Sequence, residues 1–141
     1  MKIKRLTIEE IKYSAHQLAQ KYLEWNEPIP EFETRYPYAL EQCLVAPFQT
    51  FRGQLYKGLV PKTAILFYLM IKNHPFQNGN KRIAVMSLLL LLGKNGKWLS
   101  ITPQELYNLA RWVAASPAGV KEETVKAIEK ELKKALVDYL I

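Results

Sequence analysis

The chain has 141 residues, of which 49% are hydrophobic and 23% charged, with 20 Lys and Arg against 13 Asp and Glu for a formal net charge of +7. This length supports one hydrophobic core and excludes two ordinary domains, so we expect a single domain over residues 1–141. The lone cysteine, Cys43, excludes an internal disulfide and is expected in the core. The lack of a secretory leader pattern or bilayer-length apolar run favours a cytoplasmic protein without membrane contact.

A helix is predicted to begin at residue 8. Thr7-Ile8-Glu9-Glu10 has the form of a capping box, in which the hydroxyl and the Glu10 carboxylate satisfy exposed amides. Apolar residues then recur at spacings of three and four and predict one buried face. They are Ile8, Ile11, Ala15, Leu18, Tyr22 and Trp25. His16 lies beside this stripe and is expected at the surface or its boundary, with no functional role.

The next part of the chain is predicted to be less regular. Residues 26–37 carry three prolines without periodicity and indicate an irregular connection. Residues 38–46 are compatible with a short helix, and residues 48–58 mix aromatics with glycine. The last stretch indicates a bent or hairpin-like flap. The alternative is a surface loop in which Phe48 and Phe51 close the core.

Two strongly apolar runs predict a central pair of buried helices. Residues 64–71 are eight consecutive apolar residues after Pro61, which suits the first turn of a helix. Residues 83–92 are apolar apart from one serine. Gly93 and Gly96 follow and are expected just past the helix C-terminus.

The polar insert between these helices reads, from residue 74 to 82, His-Pro-Phe-Gln-Asn-Gly-Asn-Lys-Arg. Its Asn-Gly-Asn portion favours a turn and cap, which leaves helix amides without acceptors. Lys81 and Arg82 then fall in the first helical turn, where an exposed cation is unfavourable by roughly 0.3–1 kcal/mol. A bound anion would explain both features, so the insert predicts a phosphate site. The predicted phosphate-binding residues are Gly79, Asn80, Lys81 and Arg82.

His74 directly precedes this predicted phosphate site. A histidine with an ordinary pKa near 6.5 is a candidate general base when it lies beside a reacting phosphate. The alternative is a histidine that only forms a hydrogen bond within the loop. The adjoining anion site favours the catalytic interpretation.

Two further helices are predicted after the central pair. Thr102-Pro103-Gln104-Glu105 forms a second capping box with proline at the first helical position. The last helix is expected from about Lys121, with strand signals confined to the flap region. Its apolar stripe comprises Val125, Ile128, Leu132, Leu136 and Tyr139.

The string from His74 to Arg82 resembles the signature of the Fic/Doc family, whose usual pattern is His-Pro-Phe-x-Asp/Glu-Gly-Asn-Gly/Lys-Arg. Its Asn-Lys-Arg ending is more similar to the death-on-curing branch than to the typical Fic branch. The resemblance implies an all-α fold, a single helical bundle around a central helix-loop-helix. A short β-hairpin flap is an optional addition to this bundle.

The resemblance also implies a transferase that uses ATP or another nucleoside triphosphate to modify a hydroxyl of a target protein. Transfer would be of a phosphoryl group, as in the Doc toxin acting on a translation factor, or of a nucleotidyl group such as AMP. His74 would be the general base and residues 79–82 would hold phosphates. A separately encoded antitoxin is expected as a partner. The flap residues that would align the target are Phe51, Arg52 and Gly53.

One position departs from the family pattern. Asn78 stands where the family has the Asp or Glu that binds Mg²⁺, and an amide supplies no negative charge. An impaired protein that binds a nucleotide or a partner without turnover is therefore an open alternative to the enzyme. The net charge of +7 also suggests a second alternative, a basic nucleic-acid-binding module. The basic residues are scattered along the chain, so nucleic acid is not the expected partner.

Overall fold

The computed structural model describes residues 2–22 and 28–139, and within them it contains six longer helices, three 3₁₀ helices of three residues each (Phe32–Thr34, Ala46–Phe48 and Ala118–Val120) and two short strands. The described part of α1 spans residues 8–22 and includes a π-helical turn, Ile11–Ala15. The other helices are α2 (Pro37–Val45), α3 (Leu59–Lys72), α4 (Asn80–Lys94), α5 (Pro103–Ala115) and α6 (Lys121–Ala135). The strands are β1 (Lys97–Leu99) and β2 (Leu136–Asp138). The predicted all-α fold is thus confirmed.

Helices α3 and α4 form the predicted central pair. Both are apolar on nearly all sides and must therefore be covered by other elements. Helix α6 packs on α3, α5 packs on both, and α1 packs on α4. Cys43 is fully buried in the same core, as expected.

The start of α3 agrees with the prediction, whereas the end of α4 differs from it. Helix α3 begins at Leu59, so Pro61 is its third residue and lies in the first turn, and α4 continues to Lys94. Gly93 lies inside α4, where a Cβ would sit 3.3 Å from the ring of Trp98. Close approach of this ring accounts for the glycine. Gly96, with φ of +77°, is the residue past the helix end.

The first capping box is confirmed, and the predicted buried face of α1 is correct at Ile11 and Ala15 but wrong at Leu18. The Glu10 amide donates to Thr7 Oγ1 at 3.1 Å, and the Thr7 amide donates to the Glu10 carboxylate at 2.9 Å. A π-helical turn accommodates an additional residue and turns the following side chains by about 100° relative to a regular helix. As a result Leu18 is 38% exposed and Ala19 is fully buried. Residue Trp25 of the predicted stripe falls outside the described residues.

The C-terminal part of the chain also differs from the prediction. Helix α6 ends at Ala135, and β2 pairs antiparallel with β1, with Trp98 opposite Val137. The Ser100 amide donates to the Ala135 carbonyl at 2.8 Å, and the Tyr139 ring meets Trp98 edge-on at 5.3 Å. Placing Leu136 and Tyr139 on a helical stripe was therefore wrong, because pairing with β1 overrides their helical spacing.

The flap is a bend rather than a pair of strands. A single bridge joins Thr50 and Gln54, and the Phe51 amide donates to the Gly53 carbonyl at 2.7 Å. The Phe51 side chain is 72% exposed, so it does not close the core. Over residues 2–22 and 28–139, no helix has the length and apolar character needed to cross a membrane.

Candidate active site

The motif loop, residues 73–79, joins the C-terminus of α3 to the N-terminus of α4. Asn80 fixes its shape, because its Oδ1 accepts from the Phe76 amide at 2.9 Å and its Nδ2 donates to the Phe76 carbonyl at 2.8 Å. The Phe76 side chain is buried in the core. The side chain of Asn80 thus shapes the loop. The group of Asn80 that remains for an anion is the backbone amide, at the first position of α4.

Gly79 is the N-cap residue of α4 and adopts a left-handed conformation with φ of +79°. A Cβ at this position would lie 2.7 Å from Cγ1 of Ile29, which leaves no room for a side chain. Glycine also offers no side-chain acceptor to the first amides of the helix. The cap is therefore compatible with an external acceptor at the N-terminus of α4.

Asn78 is held by its neighbours in the fold. Its Oδ1 accepts from the Gly79 amide at 2.9 Å, and its Nδ2 faces the Pro28 carbonyl at 3.5 Å. The amide group therefore bridges the motif loop and the segment that begins at residue 28.

His74 is exposed and has φ of +46°, a left-handed conformation that is uncommon for a residue with a Cβ. Such a backbone costs on the order of 1–3 kcal/mol and persists only where neighbouring contacts impose it. The neighbours here are ordered, since Pro75 is buried and its carbonyl accepts from the Tyr36 amide at 2.8 Å. The loop therefore holds the backbone of His74 in a defined place and leaves its side chain at the surface.

A cavity of about 200 Å³ brings the predicted residues together. Its lining comprises Ile71, His74, Gln77, Asn78, Gly79, Asn80, Lys81, Arg82, Tyr107 and Ala114. His74 and residues 79–82, the predicted general base and phosphate-binding residues, all line it. Tyr107 and Ala114 come from α5 and were missed, because no local signal shows which neighbouring helix covers a loop.

The charge around this cavity is positive. Lys81 is half-buried and Arg82 is 4% exposed, and among residues 2–22 and 28–139 no Asp or Glu lines the cavity. The N-terminus of α4 adds a partial positive charge of roughly one half. Two cations and a helix N-terminus at one cavity form an arrangement suited to a phosphate or polyphosphate.

Helix α5 is fixed beside the cavity by Lys72. The Lys72 ammonium, in the last turn of α3, donates to the Ser116 carbonyl at 2.6 Å and to the Ala114 carbonyl at 3.3 Å. These carbonyls belong to the C-terminal end of α5, where a cation is favourable. The α5 wall of the cavity is therefore tied to the helix that leads into the motif loop.

The described side chains around the cavity do not fit a protein-held Mg²⁺ of the usual kind. Mg²⁺ favours carboxylates together with phosphate oxygens and water. Within the described part of the chain, no carboxylate lines the cavity, and no cluster of three or more His, Cys, Asp or Glu side chains is suited to a metal. Asn78 offers an amide oxygen that already accepts a hydrogen bond from Gly79.

The predicted flap residues Phe51, Arg52 and Gly53 do not line this cavity. Their segment is anchored near the start of α3, where the Lys62 ammonium donates to the Gln54 side chain at 2.7 Å and to the Tyr56 carbonyl. The 14 residues of α3 span about 21 Å between this anchor region and the motif loop. Alignment of a target by the flap stays a prediction.

The lone cysteine is not part of the site. Burial raises the pKa of Cys43 to about 12, so its thiol is neutral at ordinary pH and inert as a nucleophile. Cys43 is therefore a core residue, as expected from the sequence.

The comparisons with known proteins agree with the motif. A model of the Fic/DOC family matches residues 5–92, which is more than half of the chain and includes the motif loop and all of α2 and α3. No match is found among curated proteins or among solved structures. The chain belongs to the Fic/DOC family.

Proposed function

We propose that this protein is a Fic/Doc-type transferase that uses a nucleoside triphosphate, with ATP as the first candidate, to modify a hydroxyl of a target protein. One observation carries the proposal. An exposed histidine, His74, shares a cavity with the uncapped N-terminus of α4 and with Lys81 and Arg82. A base and an anion site at one cavity are what transfer from a phosphate requires.

Each group has a role in this proposal. The first amides of α4, Lys81 and Arg82 bind the phosphates and stabilise the charge that develops during transfer. His74, as the neutral imidazole, accepts the proton while the target oxygen attacks phosphorus. Attack at the terminal phosphorus transfers a phosphoryl group and releases ADP, whereas attack at the first phosphorus transfers AMP and releases pyrophosphate.

The size of the cavity favours partial enclosure of the nucleotide. Pockets that enclose a drug-sized ligand usually measure roughly 300–1,000 Å³, and this cavity measures about 200 Å³. We propose that it holds the polyphosphate while the nucleoside lies outside. The Asn-Lys-Arg ending of the motif favours phosphoryl transfer, as in the death-on-curing branch, over nucleotidyl transfer.

A second candidate is a nucleotide- or partner-binding protein without turnover. The observation that favours it is Asn78, which occupies the carboxylate position of the family signature and bonds to Gly79. Phosphate binding by Lys81, Arg82 and the helix amides does not require that carboxylate. Catalysis that depends on a protein-held Mg²⁺ does.

Labelling of target proteins separates these candidates. The purified protein is incubated with a bacterial lysate and ATP carrying the label at the first or the terminal phosphorus, with or without Mg²⁺. We expect terminal-phosphate label on a protein band, its loss in His74→Ala, and its retention in the control Gln17→Ala, which changes an exposed residue of α1. Label from the first phosphorus would indicate nucleotidyl transfer.

Binding measurements complete this experiment. ATP binding without labelling of any target would support the second candidate. If neither binding nor labelling occurs, the proposed function is wrong. Tight and saturable retention of nucleic acid on a filter at moderate salt would instead support the basic nucleic-acid-binding module.

We also propose the partners and location that accompany this function. The target is a hydroxyl-bearing protein such as a translation factor, and a separately encoded antitoxin restrains the activity in the cytoplasm. Expression with the neighbouring genes tests the second partner. Purification that yields no neighbour-encoded protein would count against it.

A further inference from the structure

We infer that His16 is a positioning residue for His74, because it holds the support on which the motif loop rests. This support, the buttress segment, comprises residues 28–36. The inference depends on the proposed function only for its activity measurement. Its structural part concerns the shape of the loop and is tested separately.

His16 is buried at the centre of a small aromatic cluster with Phe32 and Phe76. The side chain is 3% exposed, and its ring centroid lies 5.6 Å from that of Phe32 and 5.7 Å from that of Phe76. The two phenylalanine rings are 6.0 Å apart. These separations are those of interacting aromatic pairs. His16 therefore contacts the buttress segment through Phe32 and the motif loop through Phe76.

A hydrogen bond fixes the ring to the buttress segment. His16 Nε2 lies 2.9 Å from the Pro30 carbonyl, and since a carbonyl only accepts, Nε2 carries the proton. From the next turn of α1, the Gln20 amide group donates to the Ile29 carbonyl at 3.3 Å. Two consecutive carbonyls of the segment are thus bound by side chains of α1.

Besides the contact between Phe32 and Phe76, the same segment contacts the motif loop at three places. Ile29 packs on the backbone of Gly79, and Asn78 Nδ2 faces the Pro28 carbonyl. The Tyr36 amide donates to the carbonyl of Pro75, the residue after His74. Contacts at residues 75, 76, 78 and 79 therefore restrain the loop that holds His74 in its left-handed conformation.

The placement of His16 is a consequence of the π-helical turn in α1. The turn rotates the later side chains, so that His16 faces the core together with Ala15 and Ala19. An apolar residue would fill the space without a polar group to satisfy. A histidine at this position adds a donor for Pro30 and makes the support sensitive to protonation.

The surroundings of His16 favour its neutral form. Burial lowers the pKa of His16, although the Pro30 carbonyl and the Glu33 carboxylate act in the opposite direction. Glu33 is paired with Lys12 at 3.1 Å, and the Arg35 guanidinium lies over the Phe32 ring at 4.2 Å. Phe76, which meets the ring from the motif loop, is uncharged. Protonation at acid pH therefore places a charge inside the cluster and loosens the support.

Amide hydrogen exchange tests the structural part. The reporters are the Phe76 amide, which donates from the motif loop to the Asn80 side chain of α4, and the Tyr36 amide, which donates from the buttress segment to the loop. The internal control is the Ser100 amide. In His16→Phe, which keeps the ring and removes the donor, we expect exchange at both reporters to rise about tenfold, the effect of one lost hydrogen bond. His16→Gln restores a donor and should recover part of the protection. Ile11→Val, a buried change elsewhere on α1, should leave the reporter-to-control ratio unchanged.

The pH dependence of the wild-type protein provides a measurement that does not need a stable variant. Protection of the two reporters, corrected for intrinsic exchange, should fall relative to Ser100 as the pH drops below about 6.5. This pH dependence should be absent in His16→Gln. Reporter protection that is independent of pH and unchanged in His16→Phe overturns the inference. If all three amides lose protection together in the variants, the wild-type pH series decides.

Activity then separates this inference from the proposed function. If His74 is the base, His16→Phe should lower kcat more than it raises KM for the nucleotide, because the phosphate-binding first turn of α4 is formed by its own backbone. Reporter exchange that responds as expected in a protein that binds no nucleotide would refute the proposed function and leave the positioning role intact. Nucleotide binding and target labelling as proposed, in a protein whose Phe76 and Tyr36 amides do not respond to the His16 variants or to pH, would support the proposed function and refute the positioning role of His16.

Discussion

Substitution of Gly79 tests whether the N-cap of α4 depends on close contact with Ile29. The change Gly79→Ala places a Cβ at a φ of +79°, which costs about 1–2 kcal/mol for an L-residue in a left-handed conformation. The new carbon would also lie 2.7 Å from Ile29 Cγ1, and overpacking of a filled site costs about 1–3 kcal/mol more. We therefore expect a total loss of about 2–5 kcal/mol in the free energy of unfolding.

Gly96 provides a matched control. Its φ is +77°, nearly that of Gly79, and a Cβ there would meet nothing within 4 Å. Gly96→Ala should therefore lose only the conformational part, about 1–2 kcal/mol. Chemical denaturation of both variants measures the difference, and nucleotide titration should show weakened binding for Gly79→Ala alone, since only Gly79 lines the cavity.

A double mutant isolates the contact itself. Ile29→Ala removes the atoms that the new Cβ would meet, so the added cost of Gly79→Ala should fall toward that of Gly96→Ala in this background. Equal losses for the two glycine variants in the wild-type background would refute the reasoning. So would an unchanged loss at Gly79 after Ile29 has been truncated.

Three further predictions concern charge. Asn78→Asp keeps the acceptor for the Gly79 amide and adds a carboxylate, so Mg²⁺ should tighten ATP binding in the variant and change it little in the wild type. Calorimetry with Mg²⁺ and with a chelator measures ATP affinity in both proteins. An equal effect of Mg²⁺ on the two proteins contradicts the prediction. Lys81→Ala should weaken binding of inorganic triphosphate by about 10- to 100-fold, since a hydrogen bond to a charged group contributes about 1.5–3 kcal/mol. The control Lys130→Ala, on the outer face of α6, should leave this binding unchanged. Similar losses of affinity in the two variants would place the anion elsewhere. Because burial lowers the pKa of His16, the unfolded chain binds the proton more tightly, so stability should decline as the pH falls from about 6.5 toward 5 by at most about 1.4 kcal/mol per pH unit. This pH range lies above the one where carboxylates titrate, so His16→Gln should flatten the decline in stability. An unchanged slope in the variant would assign the decline to another group.

Much of the candidate site could be predicted because its signals are local. Capping boxes at Thr7 and Thr102 depend on residues three positions apart, and both are present. The two apolar runs predict buried helices whatever covers them. The glycine and two cations at the start of α4 lie within four consecutive residues, so their proximity follows from the chain itself.

The residues that sequence patterns missed are placed by distant parts of the chain. The inward turn of His16 comes from one π-helical turn, and the apolar spacing along the sequence does not show where such a turn inserts its extra residue. The Tyr107 wall of the cavity depends on how α5 crosses the central pair, and no periodicity in α5 shows that crossing. Likewise, the strand at Leu136 forms because β1 lies beside it, about forty residues earlier in the sequence.

The sequence by itself therefore determined the helical class, the central helix pair and the motif residues, since helix formation and capping act over three or four residues. Only the tertiary structure decided that an exposed His74 opens onto the cation-lined cavity, that α5 closes this cavity, and that α1 supports the loop from behind. These arrangements depend on packing between segments far apart in the chain, where one turn of rotation or one added residue changes which side chains meet.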